Sequence, residues 1–293
     1  MHNRFRFWLT AFIVILGSFL AACQSPHVAE PRAAVPTKKV PQGDLLWHFV
    51  HDQCLPNQLA GKNRPLPCIH VDPTAGFVIF KDRNGPLQYL HMPTRHISGL
   101  EDPVLRTMPR TPYFAQAWHA RTYLDKLLGS PIALREYSFT VNSKRARSQN
   151  QLHIHMSCIR PAVRDQLHSL QWQQRFDSRW QIVRERFNGH TYYARTLSLD
   201  ELENRGAIAL TFATLSDAQH HPNDLTMLLY PVSGRQFLLL ASVTSGASAE
   251  WDFQEHRCPE LLNGLRKKPA RRTALPGENG AVGHGERSQE KNL

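Results

Sequence analysis

The sequence predicts an α+β fold, an antiparallel sheet with flanking helices, and three observations carry that prediction. Two pairs of β-rich runs meet at Asp82-Arg83-Asn84-Gly85 and at Ser233-Gly234, so each pair reads as a hairpin. Tyr113 to Leu128 is rich in Ala, Leu and aromatic residues, lacks Gly and Pro, and stops at Gly129, which reads as a helix. "REYSFTVNS" and "NQLHIHMSCI" flank the polar, basic "KRARSQ", and the economical arrangement is two antiparallel strands.

In chain order, the first element is an export signal. Arg4 and Arg6 precede an apolar run from Phe7 to Ala22. That run is shorter than the roughly 20 residues of a membrane-crossing helix. It closes on Leu20-Ala21-Ala22-Cys23, which resembles a lipoprotein cleavage box with Cys23 as the acylated residue; an uncleaved signal anchor is the other reading. Residues 1–23 are thus a lipoprotein-type signal. Residues 24–43, with four prolines and little apolar bulk, are a flexible tether. Residues 44–265 hold the foldable core, and residues 266–293, with seven basic and three acidic side chains, a disordered basic tail.

Within the core, "DLLWHFVHDQC" places Leu45, Leu46, Phe49 and Val50 at helical spacing behind Asp44 as N-cap. The hairpin of Gly76 to Lys81 with Leu87 to Met92 follows, then the helix from Tyr113 and the strand pair. Val163 to Leu170 reads as helix and "YYARTL" as strand. Leu199 to Leu215 reads as helix interrupted near Gly206, "TMLLYPVSGRQFLLLAS" as the second hairpin, and Glu250 to about Leu265 as a last helix. The order strand, strand, helix, strand, strand recurs loosely in the two halves, which raises an internal duplication.

Charge argues against nucleic acid as a partner. The net charge of +11 falls mostly on the ends, because residues 44–265 carry 23 basic and 20 acidic side chains. Basic ends beside a lipid anchor suit anionic headgroups, at about 1 kcal/mol per charge near the surface. With Cys23 assigned to lipid, Cys54, Cys68, Cys158 and Cys258 make an even set with three connectivities in an oxidising compartment. Cys54 with Cys68 is preferred because both flank one short loop, leaving Cys158 with Cys258. No CxxC pair supports a metal site.

On a strand, His153, His155 and Ser157 share one face at roughly 6.5–7 Å spacing, while Leu152, Ile154, Met156 and Cys158 fill the other. The apolar face packs inward and the imidazoles address a cleft. Imidazole is largely unprotonated near neutrality and nucleophilic, and a phosphorus on ring nitrogen passes readily to water. Periodicity alone leaves structural and metal-binding roles open.

Two motifs narrow the choice. "GFVIFKDRNGPLQYLHMPTRHISGL" is similar to the stretch in histidine-triad proteins where a hairpin ends in Pro followed shortly by His-Ile. "NSKRARSQNQLHIHMSCI" resembles that superfamily's active-site segment, with Asn142 eleven residues and Gln149 four residues before His153. In an exported chain, "RSQNQLHIHMSCIRP" resembles the CDP-diacylglycerol pyrophosphatase branch, from about Trp47 to Cys258.

The resemblance implies a histidine-triad-like fold and hydrolysis of CDP-diacylglycerol to CMP and phosphatidate without cofactor or metal, at a membrane the protein is tethered to. His155 would be the nucleophile and His153 its orienting neighbour, with Asn142 and Gln149 contacting phosphate or nucleotide. A second register, Gln151-His153-His155, makes His153 central. Ser157 stands where the full triad has a third histidine; it can donate a hydrogen bond but cannot supply a proton near neutrality. His96 would lie near the cleft, and Arg145 and Arg147 could hold a diphosphate. The family's dimers leave two forms open here, a homodimer or a pseudo-dimeric monomer. Rival functions are a hydrolase or transferase of soluble nucleotide diphosphates and a non-catalytic nucleotide- or metal-binding envelope protein.

Overall fold

The computed structural model of the protein describes residues 42–266. The signal, Cys23, most of the tether and nearly all of the basic tail lie outside the described residues. Among these, one antiparallel nine-stranded sheet runs β1 (Cys68–Asp72), β2 (Phe77–Lys81), β3 (Tyr89–Pro93), β5 (Ile154–Cys158), β4 (Tyr137–Val141), β8 (Thr226–Pro231), β9 (Gln236–Ser242), β7 (Tyr193–Ser198), β6 (Gln181–Ile182). With the helices that cover it, this is an α+β fold. Both expected hairpins form, β2 with β3 and β8 with β9, and β4 pairs antiparallel with β5. The edge strands β1 and β6 went unread.

The opening helix is present as α1 (Leu45–His48), a π-helical stretch Phe49–Cys54 and α2 (Leu55–Leu59). Asp44 stands at its N-cap without a side-chain capping bond; Gln149 instead accepts from Leu46 N–H at 3.1 Å. After α3 (Val104–Thr107), the stretch from Tyr113 divides into α4 (Tyr113–His119) and α5 (Thr122–Leu128), and Gly129 ends it at φ 77°. α6 (Pro161–Gln174) begins earlier than expected, at a proline suited to a first turn.

α7 (Leu199–Asn204) starts with a reciprocal capping box between Ser198 and Glu201. Gly206, at φ 83°, separates it from α8 (Ala207–Thr214); a Cβ there would stand 1.9 Å from the Thr111 carbonyl oxygen, so only glycine fits. α9 (Ser216–His220) follows. The expected last helix is two, α10 (Ala249–Phe253) and α11 (Pro259–Arg266), parted by a segment that Cys258 leaves at φ 44°. Both expected disulfides are present, Cys54–Cys68 and Cys158–Cys258.

The sheet's two faces differ, and that difference positions the site. One face packs Ile79, Phe139, Ile154, Met156, Met227 and Leu239 against α4, α5 and α8 in the main core. The other carries two smaller cores. Leu46, Val50, Val78, Leu90 and Met92 pack under the opening helix, and Leu228, Tyr230, Leu238, Leu240 and Phe253 lie under α6 and α10. Leu90 and Thr140 flank His155 across β3 and β4, and Leu228 faces Thr140. The imidazoles therefore sit on the polar strip between the two smaller cores. Among the described residues no helix is long and apolar enough to cross a membrane.

Candidate active site

His155 lies in β5 and His153 one residue ahead of it, their rings edge to face with centroids 4.8 Å apart. Alternation puts their apolar neighbours in the main core, as expected. His153 and His155 are nonetheless only 7% and 5% exposed, so they form the floor of the strip rather than an open wall.

His153 Nδ1–H donates to the Gln151 carbonyl at 2.6 Å, and among the described residues no hydrogen bond occupies its Nε2. Burial, helped by the charge of His155, lowers its pKa to about 3, so the ring is neutral at neutral pH.

His155 is enclosed by polar groups. The Gln88 amide donates to its Nδ1 at 3.1 Å and to Asp82 Oδ2 at 3.1 Å. The Glu250 carboxylate lies 3.3 Å from its Nε2, close enough for an ion pair but outside hydrogen-bond geometry. Burial lowers the His155 pKa against the opposing pull of Glu250 and Asp82. A ring that accepts at Nδ1 while neutral carries its proton on Nε2, toward Glu250.

Glu250 in turn is tightly held. Asn142 Nδ2 donates to its Oε2 at 2.8 Å, while Asn142 Oδ1 accepts from Ser248 Oγ at 2.8 Å and from Glu250 N–H at 3.1 Å. His256 Nε2–H donates to Oε1 at 2.8 Å. Burial pushes the Glu250 carboxyl up, but the His256 hydrogen bond, the charge of His155 and Asn142 outweigh it and hold it at about 2. Glu250 and His256 line a cleft of ≈ 530 Å³ with Asn84, Trp251, Glu255 and Arg257. Size does not single this cleft out, since others of ≈ 670 and ≈ 450 Å³ lie away from the cluster. Its connection to His155 through Glu250 does.

The remaining expected contacts lie elsewhere. Ser157 is fully buried and its Oγ donates to the Leu87 carbonyl at 3.0 Å, so it is turned from the imidazoles. Gln149 serves the start of α1 through Leu46. Arg147 is not free for a diphosphate, because Nη1 and Nη2 grip both oxygens of Glu101 at 2.8 and 2.6 Å and Nε donates to the Gln149 carbonyl. Arg145 is 68% exposed and meets Asp224 at 3.3 Å. His96 is exposed, bonded to the Asn150 carbonyl at 3.0 Å and 5.0 Å from the Trp47 ring.

Asp82, Gln88, Glu250 and His256 were not singled out from the sequence. A signal for the last two existed, because pairing Cys158 with Cys258 brings residues just before 258 beside the histidine strand. Asp82 was read for its turn alone, yet Oδ1 caps Asn84 N–H while Oδ2 holds Gln88. Among the described residues no group of three or more His, Cys, Asp or Glu side chains could hold a metal ion. A family model described as CDP-diacylglycerol pyrophosphatase matches residues 41–262.

Proposed function

The chain belongs to the CDP-diacylglycerol pyrophosphatase family, a family of hydrolases, and from that premise we propose that it splits its substrate through a cytidylyl group carried on His155. CDP-diacylglycerol is cut at its diphosphate to give CMP and phosphatidate. The observation that carries His155 as nucleophile is its place at the centre of the polar cluster. Asp82 and Gln88 fix one side of the ring, Glu250 faces Nε2, and burial lowers the ring's pKa against the pull of the two carboxylates. A neutral imidazole held in one orientation attacks phosphorus with little reorganisation, and the N–P bond it forms is then open to water. Asn142 acts through Glu250, which it orients.

One observation favours His153 instead: its Nδ1–H is committed to a backbone carbonyl, which leaves a bare Nε2 lone pair. His155→Ala and His153→Ala, assayed for CMP release and for nucleotide bound to acid-quenched protein, decide between them. His155→Ala is expected to abolish both signals, and His153→Ala to slow turnover while the protein still takes up label. The reverse pattern assigns the nucleophile to His153.

The histidine-triad-like fold and the duplication are supported by strand order. Inside the extra edge strand β1, the order toward the β4–β8 seam is β2, β3, β5, β4, and from the other edge it is β6, β7, β9, β8, so the second set repeats the first four places later in the chain. With the Thr140–Leu228 pair as centre, the strand pairings carry His153 and His155 onto Leu238 and Leu240, and Ser157 onto Ser242. The second half thus supplies what a partner subunit would, with leucines in place of imidazoles, and the enzyme is a pseudo-dimeric monomer with one site. A lipid on Cys23 holds that site at the interface where a two-chain lipid substrate stays. The two disulfides fit an oxidising compartment outside the cytoplasm.

A further inference from the structure

Cleavage of a diphosphate needs a proton for the departing phosphate and a base for water, and the side chain at position 157 can be neither. We propose that His256, held by Glu250, is the general acid and base of the reaction. The inference rests on His155 as the nucleophile and adds a second imidazole, supplied from the far half of the chain.

Three observations converge on it. His155 and His256 share one carboxylate: Glu250 Oε2 lies 3.3 Å from His155 Nε2, and Oε1 accepts from His256 Nε2 at 2.8 Å. His256 lines the ≈ 530 Å³ cleft beside Glu250, whereas Ser157 is sealed against the Leu87 carbonyl. The segment bearing His256 is also fixed to the histidine strand. Glu255 N–H donates to the Cys158 carbonyl at 3.1 Å, Gln254 Nε2 donates to the His155 carbonyl at 3.0 Å, and Cys258 is bonded to Cys158. An imidazole is the side chain able both to give and to take a proton near neutrality. With Nε2–H on Glu250, Nδ1 of His256 is the nitrogen that no hydrogen bond occupies among the described residues.

The cycle starts from the form of His256 that carries a proton on each ring nitrogen, with Nε2–H on Glu250. In the tautomer that reacts, His155 carries its proton on Nδ1, 3.9 Å from Asp82 Oδ2, and its Nε2 lone pair bonds to the nucleotide-side phosphorus. The bond from that phosphorus to the bridging oxygen breaks, and the leaving phosphatidate takes the Nδ1 proton of His256. Water then attacks the phosphorus and gives one proton to the now neutral Nδ1. As the N–P bond breaks, its electron pair returns to His155 Nε2, and CMP leaves with the second hydrogen of the water until solvent removes it. Both residues end as they began.

The test separates acid catalysis from nucleophilic attack by leaving group, with the full-length chain in detergent micelles. On CDP-diacylglycerol, His256→Ala is expected to lose about 10²–10⁴-fold in CMP release, with part restored by added imidazole. On the 4-nitrophenyl ester of CMP, whose leaving group needs no proton, the same variant should keep a wild-type burst of nitrophenolate. It should then stall as cytidylyl-protein, because water has lost its base. His155→Ala should show no burst; a burst from that variant removes the nucleophile assignment without touching His256. A His256→Ala variant that stays active on the lipid substrate, or that loses the burst and the lipid reaction equally and gains nothing from imidazole, overturns the proposal.

Discussion

The guanidinium of Arg147 is consumed within the fold. Its side chain is 4% exposed, it grips a Glu101 carboxylate that is 10% exposed, and Gly99 leaves it room, since a Cβ there would stand 2.5 Å from Nη1. Removing either partner of such a pair strands a buried charge, at a cost of about 3–5 kcal/mol. Arg147→Ala and Glu101→Gln should therefore lower the urea midpoint similarly while leaving KM of the folded fraction unchanged. A rise in KM for Arg147→Ala alone would instead mark a phosphate contact. At this scale the imidazole pair was legible because a period of two and a local motif reveal it. Glu250 and His256 were hidden because they join it only through tertiary contact, about a hundred residues later in the chain. The pairing of Arg147 with Glu101 was not legible because a guanidinium on a polar loop looks the same in sequence whether it is solvated, bound to a ligand or paired inside.

At the scale of elements, what local chemistry specifies was readable and what packing specifies was not. The stop at Gly129 and the break at Gly206 follow from left-handed backbone conformations that side chains resist, while Gly85 in the Asn-Gly turn is required by space, since a Cβ there would stand 2.5 Å from the His256 carbonyl oxygen. The breaks at Ala120 and after Phe253 carry no such mark, and the two-residue β6 is held by its neighbour β7 and by Gln174, whose amide donates to the Ile182 carbonyl. Cys158–Cys258 connects these levels, because it ties the strand of His155 to the segment of His256 across a separation of 100 residues. In the chain-entropy account a loop of that size is worth about 4.7 kcal/mol, against about 3 for the 14-residue separation of Cys54 and Cys68. Replacing Cys158 and Cys258 with alanine should raise hydrogen exchange around residues 250–258 and cut turnover beyond what the folded fraction explains. Replacing Cys54 and Cys68 should cost stability alone. Equal specific activity in the two variants would show that the first disulfide pair is a staple and nothing more.

For the whole molecule, the α+β class followed from hairpins and helix periods, whereas the continuous sheet did not. No local signal says that β4 meets β8, because that pairing joins residues nearly ninety apart. The same sheet buries imidazoles on both faces. His153 lies on the strip, and His91 lies in the main core side of β3, stacked on Phe77 at 5.0 Å with Nε2 on the Gln116 amide oxygen at 3.1 Å. Burial lowers each to about 3, against an ordinary value of 6.5. Between those limits the unfolded chain binds protons that the native one refuses, so stability falls as pH falls. Each ring contributes a slope of about 1.4 kcal/mol per pH unit. Glu250 acts in the same direction lower down: its carboxyl is depressed from 4.5 to about 2, so its contribution is complete above 4.5 and lost as pH drops through about 2. Acid lability should thus begin near pH 6.5 and deepen steadily. His91→Phe removes one of these rings on the face of the sheet opposite His153 and His155. Urea midpoints from pH 7 to 4 should then fall less steeply, by about one proton's worth of slope. If the variant and the parent lose stability in parallel, His91 takes up its proton in the native state and is not the neutral core group its burial implies.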